Sequence, residues 1–154
     1  HDVRGTAAHR RWLNATTVLP PDFLHFHPEP YEFWFATERN AAAFEAEPLR
    51  FLPAFGGHCT HCIATGDTNA TLLADGRVAF ACVNGSRWST LNGTLYMNSC
   101  GMWEDFIKQP ETDVAAAQAH WELWFGGWVG PINDACVQDE AAWGGDPVGG
   151  LIPE

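Results

Sequence analysis

The sequence predicts an α+β domain, with a small antiparallel sheet built from hairpins, three helices packed on it, and an extended C-terminal tail. Three observations carry this expectation. Short aromatic runs are punctuated by Pro and Asn-Gly turn signals, two stretches carry helix starts and stops, and the chain from Trp128 on keeps apolar residues but loses all periodicity. At 154 residues the chain is long enough for one domain with a real core, burying roughly 70% of its unfolded surface. The expected division is a domain with an N-terminal extension over residues 1–127 and a Gly/Pro-rich tail over 128–154, packed on that domain or on a neighbouring copy.

Taken in order, His1 to Val18 is polar and mixed and gives no structural signal. Phe23-Leu24-His25-Phe26-His27 and Tyr31-Glu32-Phe33-Trp34-Phe35, joined by Pro28-Glu29-Pro30, read as a hairpin, since proline continues neither ladder. On such a strand His25 and His27 share one face. Thr37 is the expected N-cap of a helix over Glu38 to Glu47, and Pro48 its stop. After Cys62, Thr65 to Asn69 is expected to make a turn and no helix, so that Ile63 to Asp67 breaks into a turn. Arg77 to Val83 reads as a strand, and Asn92-Gly93 as a tight turn joining Trp88–Leu91 to Leu95–Met97, because both residue types tolerate positive φ. A short helix over Gly101 to Gln109 and a longer one after Pro110 follow. The longer one is expected to show Val114, Ala117, Trp121 and Trp124 as one apolar stripe, and Gly126-Gly127 stops it.

Composition narrows the setting. Net charge is −11, with one lysine and seven scattered arginines, so no basic stripe exists to neutralise phosphates, and nucleic acid is excluded as an expected partner. No apolar run approaches the roughly 20 residues of a membrane span, so no membrane insertion is expected. Four of the seven asparagines, Asn14, Asn69, Asn84 and Asn92, open Asn-x-Ser/Thr triplets, where chance gives fewer than about one. The excess implies a secreted, extracellular protein carrying N-linked glycans, with His1 as the residue left after removal of a signal peptide. Five cysteines, Cys59, Cys62, Cys82, Cys100 and Cys136, then imply two disulfides and one leftover thiol, in any of roughly 15 arrangements.

Several runs resemble the YHS domain family. They are Tyr31-Glu32-Phe33-Trp34-Phe35-Ala36-Thr37-Glu38-Arg39-Asn40, Phe44-Glu45-Ala46-Glu47-Pro48 and Phe51-Leu52-Pro53-Ala54-Phe55-Gly56-Gly57-His58-Cys59. Trp88 to Asn98 is similar to a Trp-to-Leu-Tyr-Leu-Asn run of stand-alone members, and Ala119-His120-Trp121 extends the likeness, which covers about Tyr31 to Trp124. The resemblance implies a strand, a short helix and then a Gly-Gly-x-Cys step at Cys59. No cysteine precedes Cys59, so it points to the stand-alone, secreted type, in which any metal site is a local addition.

The chemistry centres on His58-Cys59-Thr60-His61-Cys62. His58, Cys59, His61 and Cys62 are thiolate and imidazole ligands suited to copper or zinc, although neighbouring residues point in different directions. Cys59 and Cys62 also have the Cys-x-x-Cys spacing of thiol oxidoreductases, whose first cysteine opens a helix; the turn expected at Ile63–Asp67 argues against that. None of the three serines lies in a nucleophile elbow, and the lone lysine forms no phosphate loop. The expected function is therefore a non-catalytic structural or interaction module, the repeating subunit of an extracellular glycoprotein assembly, with copies of itself or other extracellular glycoproteins as partners. The alternative is an extracellular copper- or zinc-binding domain using the central cluster.

Overall fold

Leu13 and Tyr31, opposite one another on two antiparallel strands, mark the inner face of the first of two units into which the chain divides, His1–Leu52 and Pro53–Glu154. The structure is a computed structural model describing residues 5–66, 71–72, 78–79, 83–84, 87–99, 101–133, 137–138 and 150–151. It is a mixed α+β protein, as expected.

In the first unit β1 (Thr6–Leu13) pairs with β2 (Tyr31–Phe35), with Arg10 opposite Trp34 and Trp12 opposite Glu32. The period of two sorts the faces. Leu13 and Tyr31 are buried, and Phe33 and Phe35 lie against Phe44 at ring distances of 4.7 and 5.0 Å. Phe44 belongs to α1 (Glu38–Ala46), which starts as expected, with the Thr37 hydroxyl accepting from the Asn40 amide at 3.2 Å. Pro48 ends α1 and opens the short α2 (Pro48–Phe51).

The expected hairpin over Phe23 to Phe35 is corrected. Pro21–Phe26 is a 3-10 turn, and the partner of β2 is β1, in the segment that gave no signal. The physical reason is local: Pro20 and Pro21 preset φ for a helical turn, and Phe23 and His27 amides bond back three residues to Pro20 and Leu24. His25 and His27 therefore share no strand face. His25 lies on Phe26 at 3.7 Å and His27 faces Tyr31 at 5.6 Å.

The second unit begins with a left-handed chain reversal within Ala54–Gly57, then α3 (Thr60–Thr65) and three two-residue strands, β3 (Thr71–Leu72), β4 (Val78–Ala79) and β5 (Val83–Asn84). Strand β6 (Trp88–Leu91) and β7 (Thr94–Met97) form the predicted hairpin, with Asn92 at φ 51° and Gly93 at φ 76° in the turn. Helices α4 (Trp103–Phe106) and α5 (Pro110–Phe125) follow, and Gly126 at φ 56° caps α5. Of the tail, β8 (Val137–Gln138) runs parallel to β5, and β9 (Gly150–Leu151) runs parallel to β6. Of the strand expected over Arg77 to Val83, the described residues are those of β4 and Val83.

Phe55, Ile63, Tyr96, Phe106, Ala117, Trp121 and Phe125 make an aromatic-rich core for this unit. The buried stripe of α5 is Asp113, Ala117, Trp121 and Phe125, one step round from the expected one, with Val114 and Trp124 half-buried. The start of the tail closes over this core: the Trp121 indole donates to the Val129 carbonyl at 2.8 Å, and the Asn133 amide to the Gly56 carbonyl at 2.8 Å.

Gly56 sits where that closure is tightest. It has φ 61°, and a Cβ there would overlap the Pro131 carbonyl oxygen. Gly93 has φ 76° and open space around it. In urea titrations Gly56→Ala should cost about 3 kcal/mol, against about 1 kcal/mol for Gly93→Ala, which carries the left-handed penalty alone. Equal losses would mean that the approach of Pro131 does not constrain Gly56.

Candidate functional site

The central cluster lands on the first turn of α3. Cys59 is the N-cap, with φ −63° and ψ 107°, and its Sγ accepts from the Cys62 amide at 3.4 Å. Ile63 to Thr65 thus continues a helix, and the expected turn begins only at Gly66, at φ 58°. Local propensity was overridden here by packing and by side-chain bonds. Thr65 Oγ1 donates back to the His61 and Cys62 carbonyls at 3.0 and 3.3 Å, and His120 Nδ1–H on α5 donates to the Ile63 carbonyl at 2.6 Å.

The chain leaving β7 lies alongside. Cys59 and Met97 form a parallel bridge, Thr60 Oγ1 donates to the Met97 carbonyl at 3.2 Å, and the His61 amide donates to Asn98 Oδ1 at 3.1 Å. Next, the Ser99 amide donates to Cys59 Sγ at 3.5 Å. Ser99 Oγ stands 3.7 Å from Cys59 Sγ and 3.9 Å from Cys62 Sγ. Neither cysteine is in a disulfide, and both are buried, Cys59 to 0% exposure and Cys62 to 4%.

These donors determine the chemistry of Cys59. The Cys62 thiol hydrogen bond is the largest influence; with the Ser99 and Cys62 amides and the Ser99 hydroxyl it outweighs burial and lowers the Cys59 thiol from 9.0 to about 6. At neutral pH Cys59 is a thiolate sealed from solvent and in contact with a thiol.

The two histidines are committed elsewhere. His61 Nδ1–H donates to Asp113 Oδ2 at 2.6 Å, a buried pair whose other carboxylate oxygen accepts from Gln109 Nε2 at 3.1 Å. His58 Nε2–H donates to the Pro131 carbonyl at 3.1 Å, with its ring 5.8 Å from Trp121. Among the described residues, no group of three or more His, Cys, Asp or Glu side chains converges to hold a metal ion. The four-ligand set of His58, Cys59, His61 and Cys62 is thus divided into a thiol pair and two imidazoles, each hydrogen-bonded to a different part of the unit.

Of the other expected sites, Asn14 and Asn92 are exposed, Asn14 directly after β1 and Asn92 at the tip of the β6–β7 hairpin. Asn84 ends β5. Asn69, Cys82, Cys100 and Cys136 lie outside the described residues. Ser99 and Asp113 were not anticipated. Asp113 is an acid in the first turn of α5, and its spacing of four from Ala117 and eight from Trp121 places it on the buried stripe. Ser99 carries no sequence signal beyond following a strand.

No family model, curated protein or solved structure matches the chain.

The thiol environment has a pH signature. The folded thiol releases its proton at about 6, whereas an unfolded one holds it to about 8.5. Reduced protein should therefore gain stability as pH rises from about 6 to about 8.5, and lose that gain as pH falls through 6. Ultraviolet thiolate absorbance of the reduced protein should show a first midpoint near 6, below the ordinary thiols near about 8.5, and that first midpoint should move upward in Ser99→Ala; a wild-type titration with no step below about 8 would contradict the assigned hydrogen bonds.

Proposed function

We propose that this chain is a non-catalytic, secreted, N-glycosylated module of an extracellular assembly, akin to stand-alone YHS domains. The observation that carries the reading is the contrast between its polar attachment points and its reactive ones. Asn14 and Asn92 stand exposed in Asn-x-Thr triplets, one of them on a hairpin tip, where a bulky glycan disturbs no packing. The nucleophilic thiol is buried to 0% exposure and offers no approach to an external substrate. No helix among the described residues is long and apolar enough to cross a membrane, which is compatible with a secreted chain. Leu49 and Phe51 on the first unit and Leu123 on the second are exposed apolar residues available for contact with copies of the chain.

In an oxidising compartment the thiol pair closes on itself. While the folding chain still exposes its sulphurs, before α3 is closed over, the Cys59 thiolate attacks a glutathione disulfide, one glutathione thiolate leaves, and the Cys62 thiol displaces the second. Two electrons and the thiol protons pass to glutathione, and one Cys59–Cys62 bond forms. The four-residue loop makes its entropic contribution small, about 2 kcal/mol. Its main effect is to retire a reactive pair inside the core.

A second reading, copper or zinc binding, rests on the two adjacent thiols. It requires His58 and His61 to give up the Pro131 and Asp113 bonds, or a metal that accepts two thiolates alone, as soft copper(I) does.

Peptide mapping of the unreduced secreted protein should find Cys59 linked to Cys62 and glycans on Asn14 and Asn92. Elemental analysis with and without reductant separates the two readings. Stoichiometric copper or zinc together with free thiols at Cys59 and Cys62 would replace the scaffold reading by the metal one.

A further inference from the structure

We infer that the outer face of the β1–β2 ladder is the seat of the chain's own glycan on Asn14, with the Trp12 indole stacked against its first N-acetylglucosamine. This rests on the glycoprotein reading and specifies what one of its sugars does. Trp12 and Asn14 flank buried Leu13, and Asn14 keeps an extended backbone at φ −62° and ψ 136°. Alternate residues of an extended chain share a side, so Trp12 and Asn14 both face solvent about 7 Å apart, within reach of an indole and a sugar attached to the carboxamide. The Asn14 side chain makes no capping hydrogen bond, and Thr16 completes the triplet.

The face around Trp12 has the composition a pyranose needs. Its indole is 56% exposed, and the Arg10 guanidinium lies over the ring at 5.2 Å, so one side of the indole is held and the other is open. Glu32, opposite Trp12, accepts from Trp34 Nε1 at 3.0 Å and pairs with Arg10 at 3.8 Å. A pyranose ring has an apolar C–H face and a rim of hydroxyl and acetamido groups. An aromatic floor with fixed charged donors and acceptors at its edge complements both. A purely apolar protein partner would instead strip water from Arg10 and Glu32 without replacing it. The tether also holds the sugar at an effective concentration of about millimolar or more, so a weak intrinsic affinity suffices to occupy the face.

The test uses the full chain secreted from a glycosylating eukaryotic host. Asn69, Asn84 and Asn92 are changed to Gln, and the glycan is trimmed to one N-acetylglucosamine. The acetamido methyl proton signal should be shifted upfield by the indole ring current, and should return to its free position in Trp12→Ala. Glycosylation should raise the folding equilibrium constant about three- to ten-fold, the range of one aromatic stacking contact. That gain should vanish in Trp12→Ala and partly survive in Trp12→Phe. If Trp12→Ala fails to fold, the signal position in the Trp12 protein and the Trp12→Phe comparison decide. An occupied Asn14 with an unshifted methyl signal overturns the inference and leaves the glycoprotein reading intact. So does a wild-type chain glycosylated at Asn92 but not at Asn14. A wild-type chain with no occupied triplet overturns the glycoprotein reading, and the inference with it.

Discussion

Three consecutive residues in the left-handed region, Phe55, Gly56 and Gly57 at φ 53°, 61° and 77°, are the constraint on which the second unit depends. A left-handed backbone disfavours side chains, and for a bulky residue such as phenylalanine it costs about 1–3 kcal/mol. The strain at Phe55 is offset by burial of its ring against Tyr96 and Trp121, at centroid distances of 6.1 and 5.7 Å. Two glycines then complete the reversal without a Cβ, which lets the Pro131 carbonyl approach Gly56 and the Asn133 amide reach the Gly56 carbonyl. From that reversal the chain emerges extended at His58 and Cys59, in register with Met97. Everything about the thiol pair, including its neighbours at Asn98 and Ser99, is inherited from this placement.

The helix that begins at Cys59 is only six residues long, too short to stand on its own hydrogen bonds. It is held by partners of two kinds. Apolar contact comes from Ile63, fully buried beside α5, and polar contact comes from the His61–Asp113 pair and the His120 bond to the Ile63 carbonyl. A buried hydrogen-bonded pair contributes little net stability, because desolvation offsets its attraction, but removing one partner strands the other. Its contribution is therefore positional. It turns the His61 ring toward α5, while Ser99 and the amides serve the sulphurs. The same residues that look in sequence like one ligand set are separated into two tasks by a single helical turn.

How much of this could be read beforehand follows from the range of each determinant. The α1 helix, with Thr37 at its cap and Pro48 at its end, and the β6–β7 hairpin with Asn92-Gly93 are set by neighbours within four residues, and both appear where local chemistry puts them. The pairing of β1 with β2 spans some twenty residues and has no signature in Thr6–Leu13, whose exposed positions are Thr6, Ala7, Ala8, Arg10 and Trp12, with no regular alternation of apolar and polar residues, and whose one buried side chain is Leu13. The aromatic run at Phe23 to His27 was misleading for the complementary reason. Its composition suits a strand, but Pro20 and Pro21 decide the backbone. Helix α3 was missed because Gly66 was given weight over the four residues before it, and because the tertiary bonds from His120 and Asn98 are invisible locally. Burial of Asp113 was missed because an acid in a first helical turn suits the dipole equally well on the surface.

The state of Cys59 separates reactivity from access. A thiol lowered to about 6 is mostly thiolate at neutral pH, which is the chemical requirement for nucleophilic attack. Catalysis on an external substrate requires in addition that the substrate reach the sulphur, and here the first cysteine is wholly enclosed by α3, the chain after β7 and its own backbone. The thiol within hydrogen-bonding contact is Cys62, three residues away on the same turn. On the non-catalytic reading proposed above, activation without access serves a bond made once, inside the molecule. On that reading the thiolate-stabilising hydrogen bonds belong to assembly of the fold, and traffic with the surroundings is left to exposed residues of each unit, Asn14 and Trp12 on the first and Asn92 on the second.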